Sequence, residues 1–167
     1  MRTLALITLL SSTVLAQTST PSLQFRGEPQ GSKHAAIVAT PVEGAAAGKV
    51  TLFLEVTPKP GIHVYAPGSK DYIPISVKID PAAGIKAGKL TYPKSEMMTF
   101  GDEQVPVFQK PFRLTQEITL DKAAASGGAG GAGGAVSVAA TVHLQACDDR
   151  VCFPPENVPV KWSVTLK

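Results

Sequence analysis

Charge, cysteine and long apolar runs are all scarce in this chain, and each scarcity removes a class of function. Charged residues make up 17% of 167 positions and leave a net charge of +3. So thin and scattered a positive balance leaves no footprint for nucleic acid, which is not expected as a partner. There are two cysteines, Cys147 and Cys152, too few for a disulfide framework. A domain of this size can build its core without one. The histidines are His34, His63 and His143. His143 and Cys147 would lie roughly 13 Å apart along one strand face, too far to share a ligand shell. No zinc-type spacing occurs beyond the cysteines themselves, so neither a metal nor a cofactor is expected. A Gly-x-Ser-x-Gly turn is absent, and a catalytic cysteine would not normally sit within bridging range of a second one.

Only the start of the chain carries a sustained apolar run. Met1-Arg2 is followed by Leu4 to Leu15, and Val14-Leu15-Ala16 places small residues where a signal peptidase reads. Residues 1–16 are therefore expected to be a cleaved signal peptide, with Gln17 as the mature start. The run is short for a bilayer span. The expected location is periplasmic or secreted, where disulfides form and persist.

What remains is a succession of short period-2 runs punctuated by Gly and Pro, with no helical stripe. Val50, Leu52, Leu54 and Val56 share one strand face, and Ile62 to Tyr65 is a second extended piece after Pro58-Lys59-Pro60-Gly61. Ile75, Val77 and Ile79 alternate with polar residues, and Ile85 to Tyr92 makes another strand. Lys94 to Gln104 reads as an irregular connection before Val105 to Phe108 and Phe112 to Leu120. Val136 to Ala146 and Val158 to Leu166 are the clearest alternations, and Trp162 falls on the apolar face of the second. Eight or nine such strands, each with one wet face, predict an all-β antiparallel sandwich in a single domain, 17–167.

Residues 123–135 are almost wholly Ala, Gly and Ser and are expected to form a flexible loop. They spell a dinucleotide fingerprint at Gly128 to Gly133, but such a site needs a helix after it, and here a period-2 strand follows.

The chemistry concentrates in Gln145-Ala146-Cys147-Asp148-Asp149-Arg150-Val151-Cys152-Phe153-Pro154-Pro155. The two flanking strands would pair as a hairpin with both cysteines at its tip, within bridging distance. A bridge across so small a loop is worth roughly 2 kcal/mol by chain entropy, a weak staple. Thiol–disulfide exchange instead needs an accessible sulfur and a second thiol to resolve the mixed disulfide, and a turn supplies both. Asp148, Asp149 and Glu156 would raise a nearby thiol pKa and Arg150 would lower it, so no strongly acidic thiol is expected. A plain structural bridge remains open on spacing alone.

That segment resembles the active-site segment of the amino-terminal periplasmic domain of the thiol:disulfide interchange protein DsbD. Pro60-Gly61-Ile62-His63-Val64-Tyr65-Ala66-Pro67 is similar to the family's early strand motif. Tyr92-Pro93, Phe100-Gly101 and Val105 to Phe108 resemble its middle section. The resemblance spans most of 23–167, with the Gly/Ala stretch as an addition. It implies an immunoglobulin-like sandwich whose cysteine pair, Cys147 and Cys152, cycles between dithiol and disulfide. Electrons would arrive from the membrane and pass to periplasmic thioredoxin-fold proteins, including disulfide isomerases and factors of cytochrome c assembly. By position, Cys152 would form the mixed disulfide and Cys147 resolve it. His63 and Tyr65 fall where the family has aromatic neighbours of the sulfurs, and Phe100 where a cap covers them. Met97 and Met98 stand where relatives can carry carboxylates. With no membrane helix or Cys-x-x-Cys domain in the sequence, the electron donor is expected to be a separate chain. The competing expectation is a non-catalytic binding module of the same fold that keeps the bridge for structure.

Overall fold

Alternation of apolar and polar residues dictates the strands, and the hydrogen-bond register shows how they are assembled. The computed structural model describes residues 31–122, 124, 130–131 and 134–167. The expected signal peptide lies outside them. The first sheet joins β1 (Ala35–Thr40), β3 (Gly48–Pro58), β9 (Phe112–Leu120) and β6 (Ile85–Thr91) in that order, all antiparallel. The second joins β10 (Gly130–Gly131), β11 (Ala135–Leu144), β13 (Glu156–Leu166) and β2 (Val42–Ala45), with β5 (Ser76–Ile79) on the other side of β11. One pairing departs from the antiparallel expectation: β2 runs parallel to β13.

These two sheets face each other across one core. Ile37, Leu52, Leu54, Leu114 and Ile118 come from the first sheet, and Val138, Val142, Val160 and Trp162 from the second. Each such side chain contributes about 1.5–3 kcal/mol on leaving water. Trp162 also donates its indole N–H to the Phe53 carbonyl at 2.8 Å, fastening one sheet to the other. The protein is an immunoglobulin-like β-sandwich, as the sequence predicts.

A third, smaller sheet extends the sandwich at the end where β3 and β11 finish and β9 begins. Its order is β12 (Ala146–Cys147), β4 (His63–Tyr65), β8 (Glu103–Phe108) and β7 (Glu96–Phe100). The stretch expected to be an irregular connection is in fact the β7–β8 hairpin, paired from Glu96↔Val107 to Phe100↔Glu103. Its turn consists of Gly101 and Asp102, with φ positive at Gly101 alone (56°), the φ pattern of a type II′ hairpin. Met97, Met98 and Thr99 gave no clean apolar alternation, so the pattern hid a strand that pairing supplies.

Most of the 123–135 stretch lies outside the described residues. Its described parts are not all loop: Gly130–Gly131 pairs with Val136 and Ala135, and Ala124 is buried. Ala124 packs against Gly84, where φ is +73° and an added Cβ would lie 2.4 Å from Asp121 Oδ1 and 2.7 Å from the Ala124 Cβ.

Candidate active site

Directly opposed residues of an antiparallel pair put their side chains on the same face, and successive residues alternate. β12 pairs with β4 as Ala146↔Val64 and Cys147↔His63. Ala146 and Val64 belong to the sandwich core, whereas Cys147 and Tyr65 join a separate buried cluster with Val105 and Val107. Tyr72, Met98 and Phe100 pack against this second cluster. The alternation of a three-residue strand thus separates the core from the site.

The break between β11 and β12 falls at Gln145, and it overturns one expectation. On an unbroken strand Cys147 would share the wet face of Thr141 and His143. After the break it pairs with a different sheet and is fully buried. Gln145 ties the junction together: its backbone carbonyl accepts from Tyr65 N–H at 3.4 Å. Its side-chain carbonyl accepts from Ile73 N–H at 3.1 Å, and its amide donates to the Phe153 carbonyl at 3.4 Å.

Cys147 and Cys152 form a disulfide, with Cα atoms 4.1 Å apart. The intervening turn is closed by Asp148, whose N–H donates to the Val151 carbonyl at 3.0 Å. Its carboxylate accepts from the N–H groups of Arg150 at 2.8 Å and Val151 at 2.7 Å. Those two bonds hold the Asp148 carboxyl below its usual range. The two sulfurs have unlike surroundings: Cys147 is 0% exposed, while Cys152 is exposed beside Val151, itself 54% exposed. The turn position predicts access for both, but the fold gives it to one.

A shell of aromatic rings encloses the buried side. The Tyr65 hydroxyl lies 3.1 Å from Cys147 Sγ and 3.4 Å from Cys152 Sγ. Disulfide sulfurs carry no hydrogen, so the phenol is the donor. Burial, then Tyr72 and Glu103, push its pKa up to about 12, which keeps that proton in place at neutral pH. Tyr65 stacks on Tyr72 with ring centroids 4.2 Å apart. His63 meets Tyr65 edge-on at 5.5 Å and Phe100 at 5.2 Å, and Phe100 lies 6.4 Å from Tyr72. His63 is 1% exposed, and burial pushes its pKa down against the opposing pull of Asp149 and Asp148. The fold therefore brings His63, Tyr65, Phe100, Cys147 and Cys152 together. Tyr72 was not foreseen. It sits in a loop of Gly, Pro and polar residues where no period marks an inward side chain.

His34, which reads in sequence as an ordinary strand-edge or surface residue, is part of the support behind the exposed cysteine. Its ring stacks on Phe153 with centroids 4.0 Å apart, and its Nδ1 pairs with Glu156. Glu156 also accepts from the Lys33 N–H at 2.9 Å. His143 lies apart from the site, hydrogen-bonded to Asn157 Oδ1 at 2.8 Å.

A small end sheet carrying one buried and one exposed half-cystine is an arrangement suited to thiol–disulfide exchange. The family model for the amino-terminal domain of the thiol:disulfide interchange protein DsbD matches residues 33–162, and the chain belongs to this family. Among solved structures it is similar to the N-terminal periplasmic domain of ScsB from Proteus mirabilis. That match has 14% identity and a TM-score of 0.56, covering 81% of this chain and 47% of that one. It is also similar to the reduced DsbD N-terminal domain of Neisseria meningitidis. There the identity is 16% and the TM-score 0.48, covering 77% of this chain and 82% of that one. No curated protein matches the chain.

Proposed function

We propose that this domain is a dithiol–disulfide carrier outside the cytoplasm, handing electrons to thioredoxin-fold proteins as a protein-disulfide reductase. Cys152 attacks the partner disulfide and forms the mixed disulfide. Cys147 then attacks Cys152 Sγ, which closes the internal bridge and frees the partner as a dithiol. The unequal burial of the two cysteines carries this reading: a partner reaches the exposed Cys152, while the buried Cys147 resolves from behind. Electrons return to the pair from a membrane-bound donor, and residues 1–16 direct export as a cleaved signal peptide. Disulfide isomerases and the factors of cytochrome c assembly are the partner classes to try first.

The test is a trapping experiment with an oxidised thioredoxin-fold protein. Reduced Cys147→Ala should accumulate a stable mixed disulfide through Cys152, and reduced Cys152→Ala should accumulate none. Equilibration with glutathione buffers decides against a merely structural bridge, which would hold a potential below roughly −300 mV. A value that low, with no trapped complex, would leave the domain a binding module.

A further inference from the structure

The aromatic shell contains one polar atom with nothing to bond. Among the described residues, His63 Nε2 is the buried side-chain nitrogen or oxygen that has no hydrogen-bond partner. Leaving such an atom unsatisfied costs about 1–3 kcal/mol, so its presence calls for an explanation. The residue directly across the sheet from His63 is Cys147, and opposed side chains share a face. In the oxidised protein the Cys147 sulfur has no hydrogen, and the Tyr65 hydroxyl already donates to it. Reduction cleaves the Cys147–Cys152 bond and puts a proton on Cys147.

We propose that His63 is the proton acceptor for the Cys147 thiol, with Nε2 taking the S–H proton as Cys147 attacks. This inference rests on the exchange reading above and deepens it. In the closing step the Cys147–H bond breaks and its proton moves to Nε2. The Cys147 electron pair forms the new bond to Cys152 Sγ, and the bond from Cys152 to the partner sulfur breaks with its electrons leaving on that sulfur. The imidazolium then gives its proton to the departing thiolate, and the proton that Cys152 released on attack is taken up by the first partner sulfur. Two electrons and two protons thus pass to the partner in total, and the imidazole is restored.

The surroundings suit a base of this kind. Phe100 and Met98 from the β7–β8 hairpin bring no charge, and Met98 lines an open pocket of about 210 Å³ with His63, Gly61, Ile62, Gln109 and Asp149. Asp149 and Asp148 face the ring from the cysteine turn and favour the imidazolium. Tyr65, on the same strand face, stays protonated at neutral pH and competes for no proton. Arg150 lies in the same turn and acts on Asp148. The cap positions Met97 and Met98 offer no carboxylate; Glu103 of the same hairpin acts on Tyr65, and His63 is the imidazole directly opposite Cys147.

The test has two arms. In wild-type protein, NMR titration of the His63 ring is compared between oxidised and reduced states. The midpoint should move downward on reduction, because the neutral ring then accepts the Cys147 S–H, and an unchanged midpoint overturns the inference even if exchange is normal. In the second arm, reduced His63→Phe, which keeps a ring in the shell, is reacted with oxidised glutathione and the closing step is followed against pH. Closure at pH 7 should slow by about a hundredfold and lose the inflection that His63 imposes on the wild-type profile, while attack by Cys152 is unchanged. Closure with the wild-type pH profile overturns the inference and leaves the carrier function standing. Failure of wild-type protein to exchange at all would overturn both.

Discussion

The Tyr65 hydroxyl reaches Cys147 Sγ at 3.1 Å from a strand that pairs with the cysteine's own. This bond ties the redox state of the pair to a phenol held protonated by burial. In the reduced protein the same hydroxyl is placed to stabilise a thiolate. A hydrogen bond to a charged acceptor is worth about 1.5–3 kcal/mol, or roughly one to two pKa units. The hydroxyl also lies 3.4 Å from Cys152 Sγ, so Tyr65→Phe should raise the pKa of whichever thiolate it stabilises by about that much. The rate of alkylation of reduced protein against pH measures it. The stack on Tyr72 survives the change, so the oxidised fold should lose only about 1 kcal/mol.

Removing either cysteine breaks the same bridge, yet the two variants should not cost the same. The bridge itself contributes about 2 kcal/mol at most, because the loop it closes is short. Cys147→Ala also empties buried space beside Val105 and Val107, whereas Cys152→Ala removes an exposed group. Cys147→Ala should be the less stable by about 1 kcal/mol in chemical denaturation. Equal stabilities would mean that the buried sulfur packs no better than the exposed one.

Phe100 holds its place in the shell through the Gly101 turn and through contacts with His63 and Tyr72. Phe100→Ala should cost about 1–2 kcal/mol, since the ring is only partly buried. It should also open the Cys147 side, so that small alkylating reagents modify both thiols of reduced protein at more nearly equal rates. Mass spectrometry of partially alkylated protein reads that ratio directly. Gly101→Val should produce the same opening by a different route, because φ at that residue is +56° and a β-branched side chain is strained there.

Acid should weaken the fold through His63. Burial holds its pKa below the ordinary value of 6.5, so the unfolded chain takes up this proton more readily than the folded one. Stability then rises with pH through this group: its contribution is full above about 6.5 and declines as pH falls from there toward the lowered folded value. His63→Phe should flatten that part of the stability–pH curve. Glu156 acts lower on the scale. Its burial raises the pKa, but the bonds from Lys33, His34 and Ser32 outweigh this and leave it below 4.5. Its contribution is present above that value and declines as pH falls through the lowered one. Glu156→Gln should remove the second decline and loosen residues 32–34, as faster amide exchange there would register.

The all-β class and the long core strands are legible in the sequence because alternation is a local property. Val50 to Val56, Val136 to Leu144 and Val158 to Val164 each declare their buried face within a single strand. The cysteine pair is legible for the same reason, since its spacing, its turn and its following prolines are contiguous. Tertiary structure decided what depends on partners distant in the chain. It made a hairpin of the Met97–Phe100 stretch, which has no clean period of its own but finds β8 to pair with. It placed Tyr72 against Tyr65 and His34 against Phe153, contacts that no local pattern marks. Above all, it made two similar cysteines unequal. The break at Gln145 lets Cys147 leave the wet face of β11 and pair with His63, and burial follows from that change of sheet, while Cys152, five residues on, stays in the open.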